Sequence, residues 1–129
     1  MKCLIVRPPF AGFICDGIKE TEYRKKKTTI RGRIGIIEAG TSKVIGDVEL
    51  WNCEYNPDIG LWEWQLSFPR KYFYPFVVQH KKGAITWMDV DYNENNQVII
   101  QKVSNYLDEE KTKQCCELEQ KFIQEYMRG

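Results

Sequence analysis

At 129 residues, 43% of them hydrophobic and 29% charged, the chain suits one soluble globular domain and is too short for two. Four tryptophans, seven tyrosines and six phenylalanines supply enough bulk for a compact core. A formal net charge of +1 excludes a global basic field that would gather nucleic acid, so any such binding has to come from a local patch.

Lys2-Cys3-Leu4-Ile5-Val6 reads as a buried first strand, and Arg7-Pro8-Pro9 ends it. The run is too short for a signal peptide, and no stretch approaches the length of a membrane span. Pro8-Pro9 opens a short helix, because proline is tolerated in a first helical turn. Phe10, Phe13 and Ile14 fall at i, i+3 and i+4 and make one apolar stripe against the body of the domain. Gly17 is the helix stop, where a left-handed conformation is cheap for glycine. The helix thus aims its C-terminal end at Lys19, a position where its dipole favours a cation.

The next stretch, Asp16-Gly17-Ile18-Lys19-Glu20-Thr21-Glu22-Tyr23-Arg24, is the most informative in the chain. Lys19, Glu22 and Arg24 fall within six positions, and Glu22 and Arg24 leave the same face of an extended segment. Ionisable groups of both signs so close together describe either a polar cleft for a nucleobase-like ligand or a structural ion-pair network. Arg24-Lys25-Lys26-Lys27 with Arg31 and Arg33, and Lys81-Lys82 after His80, are the local basic patches. Each reads as a solvated loop or as a functional edge.

Strands follow over Arg33–Ala39, Gly46–Cys53, Leu61–Phe68 and Ala84–Val90, with a turn around Pro57. Val48, Leu50 and Asn52 alternate against Asp47, Glu49 and Trp51. Trp62, Trp64 and Leu66 share one face, opposite Glu63 and Gln65. Short strands at regular spacing, punctuated by Gly, Pro and Asn, predict a barrel. Trp51 is expected to be exposed, where it can stack a base. Tyr72-Phe73-Tyr74-Pro75-Phe76 after Arg70-Lys71 reads as a barrel lid or as a single-strand RNA surface. Asn93–Asn96 is a polar turn, and Val98-Ile99-Ile100 an added edge strand. From about Asp108 the chain is helical, with Leu107, Cys115, Leu118, Phe122 and Tyr126 as one narrow apolar stripe. That stripe docks on the barrel or on a second copy, which would give a homodimer through the C-terminal helix.

Five cysteines (Cys3, Cys15, Cys53, Cys115 and Cys116) make an odd count without Cys-x-x-Cys spacing. They predict reduced thiols, no disulfide and a cytoplasmic protein. The single His80 has no partner at ligand spacing, so no metal and no cofactor is expected.

The spacing Gly-x-Lys-x-x-Glu-x-Arg, carried by Gly17, Lys19, Glu22 and Arg24, resembles the signature of the ASCH domain family. Lys2 to Phe10 looks like that family's opening strand and proline–aromatic step. Arg31-Gly32-Arg33 is similar to its Tyr-Arg-Gly-Arg segment, and Val44 to Leu50 to its Gly-x-Val-x-Leu strand. Trp64-Gln65-Leu66 before Phe68-Pro69-Arg70, then Lys82 to Trp87, fits its closing hairpin. The resemblance covers residues 2 to 91 in order. It implies a mainly β, α+β fold: a PUA-like β-barrel with a short helix over one opening and a C-terminal amphipathic helix. Residues 1–91 would be the ASCH domain and 92–129 a strand and helix extension packed on it.

The same resemblance implies a module that binds RNA or a nucleotide-like ligand in a cleft beside the first helix. Arg7, Lys19, Glu22, Arg24, Arg31 and Arg33 would line it, with the arginines suited to phosphate through bidentate contacts. Some relatives resemble N4-acetylcytidine amidohydrolases that use a lysine, a threonine and a glutamate, and others resemble ribonucleases. In an enzyme, Lys19 and Glu22 would be the catalytic pair. Here Glu22 stands where the amidohydrolases carry threonine, and Thr21 is one position off. A third reading is a protein-interaction adaptor that uses the C-terminal helix.

Overall fold

The period-two apolar pattern folds into one six-stranded sheet, described for residues 1–100 and 108–129 in a computed structural model. The strands are β1 (Lys2–Val6), β2 (Thr21–Arg24), β3 (Gly32–Glu38), β4 (Lys43–Asn56), β5 (Leu61–Val77) and β6 (Trp87–Asp89). Their order is β2-β5-β4-β3-β1-β6, with β1 parallel to β3 and the other neighbours antiparallel. Helix α1 (Phe10–Cys15) joins β1 to β2, and α2 (Glu109–Arg128) follows the sheet. The fold is therefore mainly β with two helices, the expected α+β class. No described helix is long and apolar enough to cross a membrane.

The sheet is open rather than closed, which departs from the barrel expected of the sequence. β2 and β6 are its edges, four and three residues long, and among the described residues no ladder joins them. Side chains span part of that distance instead. Arg24 Nη2 donates to the Ile5 carbonyl at 2.9 Å, and Trp64 of β5 stacks on Trp87 of β6 with ring centroids 5.7 Å apart.

Alternation along β1 sorts the core into two halves. Leu4 and Val6 join Ala11, Ile14 and Cys15 of α1 with Ile34, Ile36, Val48, Leu50, Trp64 and Leu66. Cys3 and Ile5 join Ile37, Val44, Tyr72 and Met88 on the other side. Gly46 is fixed by the closeness of that packing. A Cβ there would lie 2.3 Å from the Arg70 carbonyl oxygen and 2.7 Å from Cys15 Sγ.

β5 runs nine residues beyond the expected Phe68, to Val77. The ladder with β4 tolerates Pro69 because it shifts register between Asp47 and Glu49. The aromatic run 72–76 is accordingly strand: Tyr72 is buried while Phe73 and Tyr74 are exposed. The strand expected over Ala84–Val90 contracts to Trp87–Asp89. Val98–Ile100 pairs with β5 only through an isolated bridge, Tyr72 to Ile99, with Phe73 N donating to Val98 O and Ile100 N to Lys71 O.

Asp47 leaves the face opposite Val48 and Leu50, as the alternation has it, yet it is closed off from solvent. Asp47 is 0% exposed. Arg70 donates to both its oxygens, at 2.8 and 2.9 Å, and Arg33 and the Tyr72 hydroxyl complete its shell. A buried carboxylate persists only with such partners. Burial first, and then the bond to Asp47, pushes the Tyr72 phenol well above its ordinary range. All five cysteines are free.

Candidate ligand cleft

The short α1 fixes the position of Lys19. Gly17 takes φ 79°, Gly17 N bonds Ile14 O, and both Ile18 N and Lys19 N bond Phe13 O, so the chain doubles back tightly under the helix. Lys19 thereby turns inward and is only 4% exposed. β2 begins two residues later, and its pairing with β5 sets Glu22 opposite Trp64 and Arg24 opposite Trp62. Glu22 and Arg24 share a face as their spacing requires, and Arg24 Nη2 donates to Glu22 Oε2 at 2.8 Å.

Helix α2 closes the site. Its Asp108 side chain accepts from Lys111 N at 3.0 Å, and Glu109 and Glu110 occupy the first turn, a favourable start for a helix. Cys115, Glu119, Phe122 and Tyr126 then recur on one face, turned towards residues of the connecting segments beside α1 and the sheet. Glu119 Oε1 accepts from Lys19 Nζ at 2.7 Å, the Arg7 guanidinium lies 6.0 Å from the Phe122 ring, and Tyr126 donates to Gly60 O at 3.0 Å. The stripe expected from sequence is largely used within the chain. Leu118 is 38% exposed and Glu119 takes its place on the docking face, while Leu107 lies outside the described residues.

Together these elements enclose a cavity of about 290 Å³. Arg7, Lys19, Glu22, Arg24 and Glu119 are its charged lining, and Phe10, Tyr23 and Phe122 its rings. Lys19 Nζ lies 2.7 Å from Glu119 and 3.6 Å from Glu22, with the Phe10 and Tyr23 ring centres at 5.0 and 5.2 Å. Burial, followed by the Glu119 carboxylate, pushes the Tyr23 phenol up. The Cys115 thiol, which donates to Glu119 at 3.5 Å, is pushed up to about 12 mainly by burial.

Of the sequence-predicted residues, Arg7, Lys19, Glu22 and Arg24 come together here. Arg31 and Arg33 do not line the cavity. Arg31 folds back onto its own loop and donates to Thr28 O and Ile30 O. On β3, Ile34 and Ile36 face the α1 side, so Arg33 leaves the opposite face and binds Asp47. Glu119 and Phe122 were missed by sequence reasoning, although one signal was present. Glu119 is four residues after Cys115 and three before Phe122, a carboxylate set on an apolar stripe.

Among the described residues, no group of three or more His, Cys, Asp or Glu could hold a metal ion. Among curated proteins, no relative matches the chain. The ASCH domain family model, in contrast, matches residues 4–126, through β1, the cleft and nearly all of α2. The chain belongs to the ASCH domain family.

Proposed function

We propose that the cleft binds one nucleobase or nucleoside, either free or as part of RNA, and that the curled open sheet is a PUA-like barrel left unclosed. The observation that carries this is a buried lysine clamped between two carboxylates inside a cavity of about 290 Å³. That volume sits at the small end of ligand sites, suited to a base rather than a long strand. Two carboxylates in the lining disfavour a bare phosphate. They suit a base edge, where amino groups donate and ring nitrogens and carbonyls accept. Arg24 Nη1 and Glu119 Oε2 make no hydrogen bond among the described residues and are available for that edge. The exposed Lys25, Lys26 and Lys27 are a local basic run for the phosphates of a longer ligand, and with a net charge of only +1 the affinity for RNA is weak and salt-sensitive.

Residues 92–129 form part of the same unit in this reading, since α2 supplies Glu119 and Phe122 to the lining. The free thiols agree with a cytoplasmic setting. Calorimetric titration with the four common nucleosides and with short single-stranded RNA tests the reading. Arg24→Ala is expected to weaken binding about 5- to 150-fold, the worth of one good base contact. A wild-type protein that binds neither nucleosides nor RNA refutes it.

The Lys19–Glu119 contact favours a second reading, hydrolysis of a modified nucleoside. The contact sets an amine and a carboxylate 2.7 Å apart in the lining of the cavity, two of the side-chain types that such a hydrolase uses. The family resemblance to N4-acetylcytidine amidohydrolases supplies the substrate. Glu22 stands at their threonine position, so the hydroxyl of that group is absent from the pair. Turnover of N4-acetylcytidine that vanishes in Glu119→Gln while binding persists establishes the enzyme. Binding without turnover leaves the first reading.

A further inference from the structure

Trp51 and Phe68 are left in solvent, 55% and 75% exposed, and both sit where the β4–β5 ladder is irregular. Leu50 pairs with Leu66 and Asn52 with Gln65, so Trp51 is the extra residue of a bulge. Asp47 pairs with Arg70 and Glu49 with Ser67, which leaves Phe68 and Pro69 opposite Val48 alone. Phe68 takes φ 51°, a left-handed conformation that phenylalanine rarely adopts, and Arg33 Nη1 pins its carbonyl at 2.9 Å. Bulges re-aim side chains, and residues held in sparsely populated conformations cluster at binding sites. Here the result is that two large aromatic residues line the same open groove.

The groove has a volume of about 490 Å³, with Ile14, Val48 and Leu66 in its lining. Lys19 lines both this groove and the cleft, so the two are neighbours around one residue. Glu20 and Ser67 add polar groups to the lining.

We propose that this groove is a stacking subsite for a second base of single-stranded RNA whose neighbouring nucleotide occupies the cleft. The inference rests on the cleft reading and extends it from one nucleotide to at least two. Flat rings with polar edges match two aromatic side chains flanked by a carboxylate and a hydroxyl, and stacking of this kind tolerates any base. An extended peptide adding itself to the sheet fits poorly. β4 lies between β3 and β5, and β5 lies between β4 and β2, so neither offers a free edge here. Lys19, itself buried, is the wall between groove and cleft, so a strand that occupies both would pass over it.

The test compares nucleosides with an eight-residue single-stranded RNA, using calorimetry and tryptophan fluorescence. Trp51→Ala and Phe68→Ala are expected to weaken oligonucleotide binding about 5- to 150-fold each while leaving nucleoside affinity unchanged. Both side chains are largely in solvent, so the variants should fold, as circular dichroism would check. Trp51→Phe is expected to keep most of the affinity but to lose the fluorescence quenching that the oligonucleotide causes. An oligonucleotide that binds no tighter than nucleosides overturns the proposal. So does oligonucleotide affinity within twofold of wild type in both alanine variants. Failure of the cleft reading looks different: nucleosides do not bind and Arg24→Ala changes nothing, while Trp51→Ala still weakens the oligonucleotide.

Discussion

Replacing Lys19 by methionine removes the cation on which two carboxylates converge while keeping the length of the side chain. At an effective dielectric constant of about 20, the pair at 2.7 Å is worth about 6 kcal/mol and the pair at 3.6 Å about 5 kcal/mol before desolvation. Burying the ions offsets most of that attraction, so the net contribution of the intact cluster is small. Breaking it is another matter. Glu22 and Glu119 would face each other without their cation, with side chains only 9% and 20% exposed. Removing one member of a buried pair costs about 3–5 kcal/mol. Arg24 still holds Glu22, and Glu119 can turn partly to water, so about 2–3 kcal/mol is expected for Lys19→Met.

Urea unfolding of wild type, Lys19→Met, Glu119→Leu and the double variant gives the coupling directly. The double variant should be less destabilised than the sum of the singles by at least about 1 kcal/mol, because it leaves no orphaned charge between residues 19 and 119. Additive effects, or a Lys19→Met loss below about 0.5 kcal/mol, would show that the cluster is not coupled in the folded protein.

Gly46→Ala is expected to destabilise by about 1–3 kcal/mol through overpacking, since the new methyl group would meet the backbone carbonyl of Arg70. Denaturant midpoints equal to wild type would contradict the close β4–β5–α1 approach. Stability should also fall on the alkaline side. The thiols of Cys3 and Cys115 are raised from 9.0 to about 11 and about 12 by burial. Their unfolded forms therefore release protons at lower pH than the folded ones. Their contribution is complete below pH 9 and is lost as pH rises from there towards 11–12, by up to about 1.4 kcal/mol per pH unit per group. Unfolding free energies that stay level between pH 8.5 and 11 would refute this. Thiol labelling should find Cys116 fast and Cys3, Cys15 and Cys115 slow, following their exposure. Uniform rates would argue against the buried placements.

Local patterns were legible wherever one residue's neighbours in sequence are also its neighbours in space. The β1 strand, the α1 stripe, the stop at Gly17 and the pairing of Glu22 with Arg24 all follow from periods of 2 and 3.6. The family signature Gly17–Arg24 was readable for the same reason, because its chemistry lies in eight consecutive residues. Long-range geometry was not legible. Whether the sheet closes depends on how far two short edge strands are carried by the twist and bulges of β4 and β5, and no local pattern encodes that distance. Asp47 has the alternation of a surface residue and became a core group because Arg33, Arg70 and Tyr72, 14 to 25 residues away, arrive with charge and hydroxyl to satisfy it. Glu119 entered the cleft from 100 residues downstream of Lys19. An isolated lysine and an isolated glutamate each prefer water, and only docking of α2 makes their pairing the better alternative.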